Sequence, residues 1–335
     1  MKLFLKILGV MLLLMTSFSC AKLEMEGEGD ANIIGFNVVE KGLKTKAAFN
    51  TESTFYSSAY RLGAGRNWQA DYASSTLFFS PKVVRYKTNH WTTDTKYYWP
   101  TDGSTLTFFS YSLSGMSVTP GVNVDKSGIS ISNYNVSTNP NGEILVADIA
   151  MDKSKNESYA GFTGVPTHFR HKLSRVKFEF AMSELADPGT TVTLKSVSLL
   201  DYYNQGDYSA GGYTGDKWTT ENLVNQSEVW SGNVVLDATL KQFGSTLTMI
   251  PQSVNKVSDA QHTGIVVQYS ISIGGSTENK SVTCYFDDHF KSGIWEKGKI
   301  YTYKIHIGVG LYPILFDGSV GDWSSSNGGD VQIGG

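Results

Sequence analysis

Apolar residues recur at every second position along much of this chain, and that rhythm restricts the fold to β-structure. Tyr301, Tyr303, Ile305, Ile307 and Val309 alternate with Thr302, Lys304 and His306. A period of two puts successive side chains on opposite faces of an extended strand, so one face is buried and the other wet. Val176, Phe178, Phe180 and Met182 alternate with Lys177, Glu179 and Ala181, and Ile265, Val267, Tyr269, Ile271 and Ile273 form a third set. Val282, Cys284 and Phe286 form a fourth, in which Cys284 serves as a small core residue. Turn residues punctuate these runs at Pro100-Thr101-Asp102-Gly103, Asp187-Pro188-Gly189, Gly274-Gly275 and Glu296-Lys297-Gly298. Many short strands with regular turns predict an all-β sandwich or barrel. Helix is scarce, with one or two turns expected over residues 219–226.

The N-terminus carries an address. Lys2 and Lys6 flank a basic start, residues 7–15 are apolar, and Thr16-Ser17-Phe18-Ser19 lead to Cys20. A positive region, a short apolar run and small residues make a secretory signal over residues 1–19. The run is too short to span a bilayer, which takes about 20 apolar residues. A cysteine directly after the small residues is where bacterial lipoproteins are cleaved and acylated, so Cys20 is the expected lipidated N-terminus. Ser17 stands where leucine is commoner, and a plain secretion signal is the alternative. More than one acyl chain makes such an anchor stable. Residues 20–30 are polar, acidic and glycine-bearing, a tether that cannot bury enough apolar surface to fold alone. An acidic patch behind the lipid cysteine also resembles the surface-export signal of Bacteroidetes lipoproteins.

The 335 residues carry a formal net charge of -3, which points to neither nucleic acid nor an acidic membrane as partner. Hydrophobic residues are 40% and aromatics 13%, enough for packed cores in two domains. Of the 2 cysteines, Cys20 goes to the lipid, which leaves Cys284 without a disulfide partner. A boundary is expected where the polar Met151 to Ser158 region gives way to the strand at Val176. It divides the chain into an N-terminal domain, 31–165, and a C-terminal domain, 166–335.

Several pieces then carry a resemblance. They are Tyr97-Tyr98-Trp99-Pro100 with Leu106-Thr107-Phe108-Phe109-Ser110-Tyr111, His171-Lys172-Leu173-Ser174-Arg175-Val176, and Met249-Ile250-Pro251-Gln252. Two more are Trp295-Glu296-Lys297-Gly298-Lys299-Ile300-Tyr301 and Val320-Gly321-Asp322-Trp323. In order and spacing the chain resembles the fimbrillin-like family of Bacteroidetes over nearly its whole mature length. The resemblance implies two tandem transthyretin-like β-sandwich domains and a fimbrial subunit exported as an outer-membrane, cell-surface lipoprotein. It also implies assembly by strand exchange: a protease clips the first strand behind a basic residue, and a strand of the next subunit fills the groove. An opened sheet edge offers unpaired N–H and C=O groups that a donated strand satisfies.

Ile34, Phe36 and Val38 alternate with Gly35, Asn37 and Val39, the expected replaceable strand. Behind it Lys44 and Lys46 lie in a basic stretch, and Lys46–Ala47 is the expected scissile bond, with Lys44 second. The best-known family pattern has arginine there. At the other end Val331 and Ile333 fall on one face of a short segment, the expected donor. Catalytic residues, metal ligands and cofactors are not expected: His168 and His171 are close in sequence but no Cys or carboxylate cluster completes a metal set, Asp287-Asp288-His289 is the only acidic pair beside a histidine and sits where a strand-to-turn junction favours Asp, and no phosphate loop or nucleophile elbow occurs. For ligand contact, Tyr202, Tyr203, Tyr208 and Tyr213 fall in a stretch that reads as a polar aromatic loop, suited to stacking on a host glycan or protein. Other fimbrial subunits and the membrane lipid at Cys20 are the remaining expected partners. The competing assignment is a monomeric glycan-binding surface lipoprotein.

Overall fold

The computed structural model describes residues 32–40, 52–87, 90–159, 162–183, 188–211, 215–258, 261–287, 293–308, 314–323 and 331–332. An N-terminal lobe opens with β1 (Phe36–Glu40), β2 (Thr54–Leu62), one helical turn α1 (Trp68–Asp71) and a 3-10 turn (Tyr72–Ser74). There follow β3 (Thr76–Lys87), β4 (His90–Thr93), β5 (Thr105–Ser114), β6 (Gly121–Asp125), β7 (Gly128–Asn135), β8 (Glu143–Ala147), β9 (Ala150–Lys153), β10 (Glu157–Tyr159) and β11 (Phe162–His171). A C-terminal lobe holds β12 (Ser174–Met182), β13 (Thr191–Gly211), β14 (Gly215–Val235), β15 (Lys241–Met249), β16 (Gln252–Ser253) and β17 (Gly264–Ile273). It ends with β18 (Ser276–Tyr285), β19 (Ile294–Trp295), β20 (Lys299–Ile307), β21 (Ile314–Asp322) and β22 (Val331–Gln332). The alternating segments of the sequence are thus β12, β17, β18 and β20, and Cys284 is buried, which pushes its thiol up to about 11.

In the first lobe the pairing runs β1-β4-β3-β2-β5-β8-β11 and returns to β1, closing a ring. The ring encloses Ile34, Phe36, Phe55, Trp99, Phe108 and Phe169. In the second lobe one sheet, β15-β12-β20-β21-β22, faces another built on β18-β17-β13 with β14 alongside β13. Both sheets fill one core, Phe178, Phe180 and Tyr303 from the first and Val197, Ile265 and Tyr269 from the second. Residues of the inner faces interdigitate in this way when sheets stack.

Two long strands depart from what the sequence predicts. Residues 219–226, expected as helical turns, lie inside β14, which pairs with β13 nearly end to end, for example Gly206↔Thr220 and Tyr208↔Trp218. Pairing along 21 residues outweighs a weak local helical preference. Tyr202, Tyr203 and Tyr208, expected in a loop, lie inside β13. The clustering of Gly, Asn and Asp that suggests turns is accommodated by an irregular strand, where Asp201 and Asn222 take positive φ of 47° and 57°.

The lobes are tied together by more than a linker. The β6–β7 hairpin of the first lobe extends the second lobe's sheet, β7 pairing with β13 from Gln205↔Asn135 to Gly211↔Gly128. The expected 165/166 boundary falls within β11, which still pairs Phe169 and His171 with Ala147 and Leu145 of β8. The chain crosses between lobes at Lys172 and Leu173, and there three of the sequence pieces meet, those at 171–176, 295–301 and 320–323. His171 stacks on Trp323 with centroids 4.4 Å apart, and the Arg175 guanidinium lies 4.2 Å from the Trp323 ring centre. Leu173 accepts from Gly298 N at 2.8 Å, Gly298 accepts from Trp323 N at 2.9 Å, and Ser174 Oγ donates to Glu296 O at 2.9 Å. Trp218 Nε1 donates to Lys172 O at 2.7 Å, while Lys172 Nζ sits 2.6 Å from Asp216 Oδ2, which also accepts from Tyr208 OH. Lys297 reaches the same carboxylate. Burial pushes the Lys172 amine down to about 8, against the upward pull of Asp148.

Trp323 is buried against both lobes, so Trp323→Ala should cost about 3–5 kcal/mol, the usual range for emptying a large aromatic site. Chemical denaturation of the full chain measures it. Lys172 also sets a pH dependence. Its folded amine gives up its proton at about 8, the unfolded one near ~10.4. The unfolded state therefore binds more protons between these values, and stability rises with pH across that window. Between about pH 7 and about pH 9.5 the wild type should gain stability relative to Lys172→Met; parallel curves would show that Lys172 is not the source.

Candidate functional site around the first strand

The first strand is held by its neighbours in space rather than by its neighbours in sequence. β1 pairs in parallel with β11, from Phe36↔Val165 to Glu40↔Phe169, and touches β4 in antiparallel sense at Phe36↔Trp91. β2, next along the chain, pairs instead with β3 and β5. The strand is extended backwards by an isolated bridge, Ile33↔Tyr98. Here Ile34 N donates to Tyr97 O at 2.8 Å and Trp99 N donates to Asn32 O at 2.9 Å. Asn156 clamps the other side: its Nδ2 donates to Ile33 O at 2.7 Å and its Oδ1 accepts from Gly35 N at 3.2 Å.

The side chains fill pockets on one face. Ile34 and Phe36 are each 2% exposed, and Val38 is half-buried against the same core. The Phe36 ring meets Phe55 and Phe108 edge-on, with centroids at 5.5 and 5.8 Å. Edge-to-face contacts of this kind add to the area term. Burying two such side chains is worth about 1.5–3 kcal/mol each. Close approach matters as well. A Cβ on Gly164 would stand 2.5 Å from the Phe36 carbonyl carbon, so glycine is what lets β1 lie against β11. Removing β1 would open the ring, expose a core cleft and leave the facing edges of β11 and β4 without their partner. A strand of the same alternation would restore both.

Of the residues expected to act, Ile34, Phe36 and Val38 come together in this seat. Cys20, Lys44, Lys46, Ile333 and Tyr213 lie outside the described residues. Val331 lies in β22, which pairs with this chain's own β21 at Val320↔Val331 and Ser319↔Gln332. The aromatic binding loop is corrected: Tyr202 and Tyr208 are 6% and 1% exposed and belong to hydrophobic cores, with no ring face for a ligand. Tyr203 is half-buried, and its hydroxyl donates to Gln261 Oε1 at 3.2 Å while Gln252 brackets its backbone. Trp68 and Trp99 are buried, and Trp91, Trp218 and Trp230 pack against the cores. Asn156 and Gly164 escaped the sequence reading; each sits in a polar or boundary stretch whose partner is 120-odd residues away.

The acid–base groups serve structure. His262 pairs with Asp287 and stacks on Tyr285 at 3.7 Å. Burial opposes the charged form of Asp287, but the hydrogen bond from His262 prevails and lowers its pKa. Glu143 shows the same balance, burial against the hydrogen bond and charge of His171 at 3.1 Å, with a net lowering. Among the described residues no three His, Cys, Asp or Glu side chains gather as a metal site, and no helix is long and apolar enough to cross a membrane.

Comparison with known proteins follows the same lines. A family model described as fimbrillin-like matches residues 68–323. Among solved structures, a fimbrial protein from Bacteroides vulgatus is 18% identical, with 87% of this chain and 99% of that chain covered and a TM-score of 0.52. A protein from Bacteroides uniformis provisionally assigned to cell adhesion is 13% identical, with 87% and 99% covered and a TM-score of 0.48. The tip fimbrial protein Mfa3 from Porphyromonas gingivalis, truncated at its C-terminus, is 9% identical, with 82% and 95% covered and a TM-score of 0.37. The comparison with curated proteins finds no match.

Gly164→Val should drive β1 off β11, because the added atoms would overlap the Phe36 backbone. The expected cost is about 1–3 kcal/mol from overpacking. Limited proteolysis should then cut the variant after Lys44 or Lys46 faster than the wild type, with the remainder of the chain still resistant.

Proposed function

The chain belongs to the fimbrillin-like family, and on that footing we propose that it is a structural and adhesive fimbrial subunit assembled by β-strand exchange. The observation that carries this reading is the seat of β1: Ile34 and Phe36 are core, the strand pairs along β11 and meets β4 at Phe36↔Trp91, and in sequence it is tied to β2 through residues 41–53. A cut after Lys46, or after Lys44, severs that tie. β1 then becomes a non-covalent insert, and an incoming strand competes for the same pockets on equal terms.

The donor is the C-terminal segment with Val331 and Ile333. Its hold on β21 involves two register pairs, a small contact to give up beside the pockets of Ile34 and Phe36. Each lobe forms one transthyretin-like sandwich of a tandem pair. A shared pattern supports this: β1 and β12, the first strands of the lobes, each lie parallel to a late strand, β11 or β20, and antiparallel to another, β4 or β15. Secretion and acylation at Cys20 hold the precursor in the outer membrane at the cell surface, and no enzymatic step by this chain is required.

Intact-mass and N-terminal analysis of the protein from its native outer membrane tests the proposal. A terminus at Ala47, absent lipid and polymer ladders are expected. Acylated Cys20 on an untrimmed monomer would overturn strand exchange and favour the glycan-binding lipoprotein.

A further inference from the structure

An open sheet ends in edge strands, and an edge offers a row of N–H and C=O groups to any chain that can lie along it. Most edges of this molecule are blunted. Among the described residues β6, β10 and β22 are 5, 3 and 2 residues long. β14 breaks its line at Asn222, with φ of 57°, and shifts register against β13 further along. β15 is broken at Gly244, with φ of 76°, where its register against β12 shifts. β18 is different. It pairs with β17 from Ile273↔Ser276 to Gly264↔Tyr285 without a shift, and no described strand lies on its other side. It holds no proline, and Ser276, Thr277, Glu278, Asn279, Ser281 and Thr283 are exposed.

The turn fixes which backbone groups face outward. Gly274 and Gly275 take φ of 57° and 86°, the two-residue turn whose flanking pair, Ile273 and Ser276, is hydrogen-bonded. At the far end Phe286 N donates to Thr263 O at 3.0 Å, in step with the same alternation. Even-numbered residues of β18 therefore bond to β17. Thr277, Asn279, Ser281 and Thr283 point their N–H and C=O groups to the open side.

Charge selects the occupant. Glu278 and Lys280 are the only charged residues of the strand, and they pair with each other on one face. Two copies of β18 set antiparallel about a two-fold axis at Asn279 bring Asn279 opposite Asn279 and Thr277 opposite Ser281. These residues face outward, so their pairs close hydrogen bonds. Each Lys280 then stands opposite Glu278 of the second copy, at the non-bonded positions where side chains approach most closely. The registers one step away on either side set Lys280 against Lys280 or Glu278 against Glu278, which repel. A further step toward Tyr285 sets Lys280 against Val282 and Glu278 against the buried Cys284. Exposed ion pairs add little affinity, but they select register and partner.

We infer that β18 is a homotypic docking edge, which pairs antiparallel with β18 of a second copy and joins the sheets of two C-terminal lobes into one. The surface lies in the second lobe, apart from the seat of β1, and its use does not depend on strand exchange. One strand pair buries less than the ~1,200 Å² of stable complexes, so the dimer is weak in free solution, with a Kd on the order of 100 µM.

Sedimentation equilibrium of the purified full-length protein, from about 5 µM to about 500 µM, tests this. The wild type should show a concentration-dependent dimer. Ser281→Pro removes an outward N–H and no bond to β17, so it should abolish the dimer at an unchanged melting temperature. Lys280→Glu and Glu278→Lys should each weaken self-association about tenfold or more. An equimolar mixture of the two should form mixed dimers, and the double exchange in one chain should dimerise as the wild type does. These charge variants carry the test if Ser281→Pro fails to fold. A wild type that stays monomeric throughout would overturn the inference. So would self-association indifferent to Ser281→Pro and to both charge reversals, the result expected of an oligomer joined elsewhere.

Discussion

The stacking of Trp323 with His171 and Arg175 is the contact on which the arrangement of the two lobes depends. It joins the last turn of β21 to the point where the chain passes from β11 to β12. Around it the Lys172 and Asp216 charges are largely removed from water. A buried pair of this kind repays its desolvation only when its remaining donors and acceptors are satisfied. Tyr208 and Lys297 complete Asp216, and the backbone carbonyl of Lys172 takes the Trp218 indole proton. The apolar cluster between the lobes, with Leu173 and Ile250 fully buried, then has no room to shear. The shared sheet through β7 and β13 makes the same joint in backbone hydrogen bonds.

A rigid joint bears on what a subunit of a polymer must do. Load passing along the molecule crosses between lobes through a strand ladder and a packed aromatic, not through a hinge. The first strand stands in contrast. Phe36 and Asn37 of β1 are fully buried, but the strand sits beside strands far away in sequence, and its chain continues to β2 on the other side of the ring. Structural importance and covalent peripherality coincide in that one element, the combination that strand exchange needs.

Legibility in the sequence varied with the range of the interactions. Alternation at Val176, Ile265 and Tyr301 marked β12, β17 and β20 because burial of one strand face is a local, period-two property. The face of Ile34, Phe36 and Val38 was readable for the same reason. The residues from 201 to 226 were misread, since Asn, Gly and Asp favour turns when isolated; a 21-residue partner strand outweighs that preference. Exposed-looking tyrosines became core because Tyr202 turns into the second lobe's core and Tyr208 packs with Ile131, Tyr134 and Trp218 where β7 joins the sheet.

The amino-acid sequence alone determined that the chain is β throughout, which faces of its strands are apolar, and which pieces place it with fimbrillin-like proteins. Those properties are local or compositional, readable from spacing and residue type. Only the tertiary structure decided that β1 closes a ring between β4 and β11, that Trp323 locks the lobes, and that the β6–β7 hairpin joins the second lobe's sheet. Each depends on pairing between residues tens to hundreds of positions apart. Strand register is selected by the summed burial and hydrogen bonding of the whole assembly, and no local pattern encodes it.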